Sequence, residues 1–193
     1  MADKKNKIAI IFLGAASGLM LLLMFVLPWF SFPGYSITRN DIWELGAQFS
    51  PHAWIINISI VLLSAGSILA GWSYFDGFIF HRILLVIFGI SFLLTAVFNH
   101  SPVNTAISYN LVEAGLHTYF AATAVLSFTI MSIATSFIPE RQKERLSALA
   151  SGVTVLILSV LSSESEPFAG LWQRLMFLIL SGWMIIQFNS NTN

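Results

Sequence analysis

The stretch Ile8–Pro28, IAIIFLGAASGLMLLLMFVLP, holds no charged side chain, and its reading decides the fold. About 20 apolar residues wound as an α-helix cross the roughly 30 Å hydrocarbon core of a bilayer. Lipid offers the backbone no hydrogen-bond partner, so a run this long closes its own bonds as a helix. Working outward, the same gap in charge recurs. Uncharged stretches run Ile8–Thr38, Leu45–Phe75, Ile83–Val112, Ala114–Pro139, Leu146–Ser163 and Leu175–Asn193. They predict spans at about 8–28, 53–74, 79–99, 115–137, 144–162 and 168–188. The expected fold is all-α: a polytopic membrane protein, a bundle of six transmembrane helices forming one domain over 1–193.

Composition agrees. Charged residues make up 9% of the chain, against about 25% in a soluble domain, and the mean hydropathy is +0.80. The connections are too short to hold an independent soluble domain. With no cysteine, thiolate metal sites, disulfides and cysteine nucleophiles are excluded. A net charge of zero leaves no basic patch for nucleic acid. Lys4, Lys5 and Lys7 ahead of an apolar run resemble a signal peptide, but the run exceeds the 7–15 residues of such a region, so an uncleaved first span is expected.

Pro28, Pro102 and Pro139 fall where helices would end. Trp29, Trp43, Trp54, Trp72 and Trp172 lie near those ends, at the depth where amphipathic rings settle. Of the nine lysines and arginines, seven (Lys4, Lys5, Lys7, Arg82, Arg141, Lys143, Arg145) share one side. Arg39 and Arg174 take the other. The positive-inside rule then places both termini in the cytoplasm of a cell with this chain in its plasma membrane. Between spans one and two, Thr38-Arg39-Asn40-Asp41 resembles a cap and Gly46 a stop, so a short amphipathic helix is expected on the outer surface. Small residues in span five (Ser147, Ser151, Thr154, Ser159) and in span one (Gly14, Ala15, Ser17, Gly18) predict close helix approach.

The outer side gathers the polar chemistry: Arg39, Asn40, Asp41, Glu44, His52, His100, Asn104, Glu113, His117, Glu164, Glu166, Gln173 and Arg174. Ionisable groups near lipid are costly and tend to be functional. Glu113 and His117 are four apart on one helical face. A carboxylate there would orient the imidazole as a base, a metal ligand or a relay; the plainer reading is a histidine that closes the bundle. Arg174 must pair, either in a salt bridge with Glu44, Glu113, Glu164 or Glu166, or as a clamp for an anionic head. Asn57 fits an interhelical hydrogen bond better than a ligand contact. No HExxH or GxSxG motif is present.

Three segments, taken in order, resemble a known group. They are Ile42-Trp43-Glu44-Leu45-Gly46-Ala47 leading into Pro51-His52-Ala53-Trp54-Ile55-Ile56-Asn57, then His117-Thr118-Tyr119-Phe120-Ala121, then Gly170-Leu171-Trp172-Gln173-Arg174. The pattern resembles the six-span prokaryotic membrane proteins of domain of unknown function 998. In that family an acidic Ser-Glu-Leu-Gly stretch precedes span two, a histidine opens span four and Gly-Leu-x-x-Arg opens span six. Trp43 stands here where the serine is common. The resemblance covers about residues 8–188, implies a six-helix bundle with polar residues on the outer side, and implies no activity or cofactor.

These readings converge on a polar pocket open to the outer leaflet. Glu44, His117 and Arg174 form its expected centre, with His52, Asn57 and Glu113 in support. The expected ligand is amphipathic: a lipid, a quinone or an isoprenoid, with its head on Arg174. Two other readings stay open. One is a non-catalytic scaffold among other membrane subunits; the other is a zinc-dependent lipid hydrolase, which needs at least three of His52, His100, His117 and a carboxylate to converge.

Overall fold

The computed structural model describes residues 2–104, 106–164 and 166–190. Six helices carry the chain: α1 (Ala2–Val26), α2 (Ala53–Tyr74), α3 (Ile79–Val97), α4 (Leu111–Thr135), α5 (Gln142–Glu164) and α6 (Ala169–Asn189). All six are long and apolar enough to cross a membrane, and no strand occurs among the described residues. The protein is an all-helical, six-span integral membrane protein.

Local signals bound the helices, with α1 and α4 beginning at Ala2 and Leu111, ahead of the starts near 8 and 115 expected from the sequence. Pro28 stands at the start of a 3-10 turn, Leu27–Phe30, that closes α1. Gly77 takes a φ of +79° in the tight α2–α3 turn, which a side chain would resist. The Asn110 side chain caps α4 by accepting from the N–H groups of Val112 and Glu113, both at 3.1 Å. Beside the α2–α3 turn Arg82 pairs with Asp76 at 2.7 Å, the local pairing the sequence invites.

Each helix packs on the next, and α6 returns to α1 and α2 to close the ring. The α1–α2, α3–α4 and α5–α6 connections therefore meet at one end, here the distal end, opposite both termini. Helix α6 is the most enclosed, with 56% of its apolar stretch buried. Phe75, Phe88, Phe128, Phe177 and Phe188 are fully buried in the interior. Hydroxyls stitch the helices together: Ser64 Oγ donates to Gly89 O, and Ser132 Oγ to Ala148 O at 2.7 Å.

Two expectations about small residues are corrected. Span five was to be enclosed by neighbours, yet only 22% of its apolar stretch is buried, the least of the six. Ala148, Gly152, Val155 and Leu158 make one narrow buried stripe, while Leu146, Val153, Ile157 and Val160 stay exposed. Its small polar residues flank the stripe at half-buried positions. In α1, a Cβ on Gly14 or Gly18 would meet nothing within 4 Å among the described residues. The close approach falls on α2 instead, where a Cβ on Gly66 would lie 3.1 Å from the Leu13 Cα.

Candidate functional site

The chain from Ser31 to His52 forms a strap across the distal end. Its short helix is present as a 3-10 turn, Ile42–Gly46, but it does not lie on the surface. Ile42 and Leu45 are fully buried, and Trp43 packs edge-on against His117, Phe177 and Phe92 at 5.1, 5.4 and 6.1 Å between ring centres. Five residues cannot offer a second apolar turn to a membrane surface, so the apolar side chains turn into the bundle instead.

Arg174, on the second turn of α6, holds this strap. Its Nη1 donates to Ile37 O (2.7 Å), Asn40 O (3.1 Å) and Gly170 O (2.9 Å), its Nη2 to the Tyr35 hydroxyl (2.8 Å) and its Nε to Met24 O (3.3 Å). The Tyr35 hydroxyl donates in turn to Asp41 O at 2.9 Å. The Leu171 N–H reaches Thr38 O at 3.0 Å, and Gln173 Oε1 accepts the Ile42 N–H. Gly170 is required here, because a Cβ would overlap Asn40 O and sit 2.7 Å from Ile37 O. The expected carboxylate partner of Arg174 is thus replaced by backbone carbonyls. A guanidinium offers five N–H donors, and a strap lying over it presents several acceptors where a carboxylate presents two.

The carboxylates have other partners. Glu44 Oε2 accepts from Asn40 Nδ2 at 2.6 Å, and burial pushes its pKa up against the opposing pull of Asn40 and Arg39. Glu113 does not face His117. Its Oε1 accepts the Asn99 N–H at 2.9 Å, while Asn99 Oδ1 accepts from Asn57 Nδ2, also at 2.9 Å. Asn57 therefore bonds across the bundle, though to Asn99 in the connection after α3 and not to another helix as expected. Gly46 lets the strap sit against Asn57, whose Oδ1 a Cβ would strike.

His117 turns to the open end of α3, where unpaired carbonyls are concentrated. Its Nδ1 lies 3.0 Å from Thr95 O and 2.8 Å from Phe98 O. Carbonyls only accept, so Nδ1 carries the proton and Nε2 a lone pair. That Nε2 is buried without a hydrogen-bond partner. His100 stands edge-on to it, 5.2 Å between ring centres, and burial lowers its pKa, keeping it neutral at pH 7.

Two cavities open at this end. One, of about 270 Å³, lies between α4, α5 and α6 under the strap, with Asp41, Trp43, His100, His117 and Gln173 at its head. Thr118 and Ala122 of α4 and Ser163 of α5, all exposed, form its mouth, and Val125 and Met176 its apolar floor. Asp41 Oδ1 is buried there without a partner. Burial first, then Glu44, raises the Asp41 pKa to about 6, with Arg174 opposing. The other cavity, of about 490 Å³, lies between the strap and the α3–α4 connection and contains Glu44, Arg39, Gln48 and Asn104. Phe49, with φ at +62°, stands exposed among its lining residues.

The anticipated centre is therefore divided. Glu44 lines the larger cavity and His117 the smaller, while Arg174 is 3% exposed and built into the strap. His52 is exposed at the start of α2, with φ at +59°. Asn57 and Glu113 meet through Asn99 beneath the strap. The sequence reading did not single out Asp41, Trp43 or Gln173 as site residues. The signal for Asp41 was a lone carboxylate at the foot of the capping run; for Gln173 it was an amide beside the buried arginine. His52 stands apart from the two rings, and among the described residues no three His, Asp or Glu groups are placed to hold a metal ion.

Six apolar helices, buried hydroxyls and a polar distal end define a multi-pass integral membrane protein. The chain belongs to the family described as "Protein of unknown function (DUF998)", whose model matches residues 15–188. No curated protein and no solved structure gave a match. The Glu44–Gly46, His117 and Gly170–Arg174 segments that carried the resemblance all fall within the matched range.

Proposed function

We propose that the protein binds an amphipathic membrane ligand in the cleft between α4, α5 and α6. Its head would meet Asp41 and His117, and its tail would leave through the mouth at Ala122 toward the lipid. The single observation behind this reading is the buried, unpartnered Nε2 of His117 in a residue that lines the cavity. Buried polar atoms are paired in the great majority of cases, so an orphaned one calls for a partner. Unlike the sequence reading, this one assigns Arg174 to the strap and not to the ligand. Glu44, in the neighbouring cavity, acts on the site through its charge on Asp41. The seven-to-two distribution of basic residues supports an extracytoplasmic site in a plasma membrane, with both termini in the cytoplasm.

The test is native mass spectrometry of the protein in mild detergent, with Ala122→Trp filling the mouth and His117 left untouched. A small molecule retained by wild type and lost from the variant supports the cleft. Wild type without a bound molecule, or with a partner protein retained equally by both, transfers support to the scaffold reading.

A further inference from the structure

We infer that the group seated against Asp41 and His117 is the primary ammonium of a membrane amphiphile, as in an ethanolamine head. This rests on the cleft reading above and assigns its ligand class. The His117 Nδ1 proton is committed to the α3 carbonyls, so Nε2 offers a lone pair alone. Asp41 Oδ1 adds a second buried acceptor, and among the described residues the cavity lining holds no lysine or arginine. Arg174 turns its nitrogens to the strap, to Met24 and to Gly170. At the mouth the hydroxyls of Thr118 and Ser163 donate to Ala114 O (3.1 Å) and Val160 O (2.8 Å), which leaves their oxygens as acceptors. Against these acceptors stands the Gln173 amide, whose oxygen is occupied by Ile42 N–H and whose NH₂ group is free to donate.

Each other head conflicts with this set. A phosphate or carboxylate places a second anion beside Asp41, while Arg174, whose charge already acts on that carboxylate, has its donors committed to the strap, Met24 and Gly170. A quinone carbonyl sets lone pairs against the lone pairs of His117 and Asp41. An alcohol brings one proton to two buried acceptors. A primary ammonium brings three N–H donors and the counter-charge for a carboxylate held in a low-dielectric site. The oxygen two carbons from the nitrogen in an ethanolamine head is a suitable acceptor for the Gln173 amide.

The experiment titrates full-length protein in nonionic detergent with dodecylamine, dodecan-1-ol, dodecyl phosphate and dodecyltrimethylammonium, following thermal unfolding. Dodecylamine is expected to bind about tenfold more tightly than the other three; the quaternary amine has charge but no N–H. Asp41→Asn should remove that preference. Tighter binding of the alcohol or the phosphate, abolished by Ala122→Trp, overturns the ammonium assignment and leaves the cleft standing. No binding by any of the four, or equal binding to Ala122→Trp, overturns both. Native spectra from phosphatidylcholine nanodiscs, with and without added phosphatidylethanolamine, then test the source. Selective retention of the ethanolamine lipid supports a membrane ligand, whereas a response to free ethanolamine with no lipid retained overturns it.

Discussion

Gly170 and Arg174 stand one turn apart on α6 and address the same two carbonyls, Ile37 O and Asn40 O. The arginine donates to both, and the glycine leaves the room they need. Gly170→Ala should therefore act on the strap rather than on the helix. A methyl forced against fixed carbonyls costs about 1–3 kcal/mol. Thermal unfolding in detergent should fall accordingly, and limited proteolysis should cut between Ser31 and Asn40 faster. Arg174→Lys should produce the same proteolytic signature, because one ammonium cannot serve carbonyls on both sides of it. Unchanged proteolysis in both variants would show that the strap is held some other way.

Asp41 predicts a pH dependence with a definite sign. Its folded-state pKa, about 6, lies above the ordinary 3.8, so the folded chain binds the proton more tightly than the unfolded one. The associated stability is present below about pH 4 and is lost as pH rises through about 6. Glu44 from the same turn, Tyr35 from the strap, Arg174 from α6, and His100 and His117 from the facing side all surround it. Asp41→Asn removes only the Asp41 contribution. Its melting temperature should exceed wild type at pH 7.5, with the difference vanishing near pH 4. A difference that is the same at both values would contradict the burial of this carboxylate.

Orientation can be measured directly because the chain has no cysteine. Single cysteines at Thr38 and Val103 should react with a membrane-impermeant maleimide in intact cells. One at Glu140 should react only after the membrane is opened. The reverse pattern inverts the topology and moves the cleft to the cytoplasmic leaflet.

The two kinds of small residue in α1 and α2 should respond differently to size. Gly66→Val forces side-chain atoms against the Leu13 backbone and should destabilise by roughly 1–3 kcal/mol. Gly14→Val and Gly18→Val meet open space and should leave monomer stability within about 0.5 kcal/mol. Comparable losses in all three would place another helix against α1.

The spans were legible because charge is excluded from hydrocarbon whatever the neighbours are. The Glu113–His117 spacing was also read correctly as one face of α4. What it could not reveal was that the α3 carbonyls at Thr95 and Phe98 would hold the imidazole, leaving Glu113 to Asn99. Backbone acceptors are present at every residue and leave no mark in the sequence. For the same reason the Arg174 partners were sought among carboxylates and found among carbonyls. Two of the segments that carry the family resemblance, Glu44–Gly46 and Gly170–Arg174, are explained in part by packing of the strap.

The anchoring of the strap by α6 has a consequence for synthesis. Residues 35 to 41 leave the ribosome long before Gly170 and Arg174 exist. Until α6 enters the membrane, Tyr35 and the carbonyls of Ile37 and Asn40 lack their guanidinium partner. The strap is thus fastened only once α6 has been made. A chain halted after α5 would carry helices α1 to α5 with the loop unfastened, in a form that proteases could distinguish from the closed bundle.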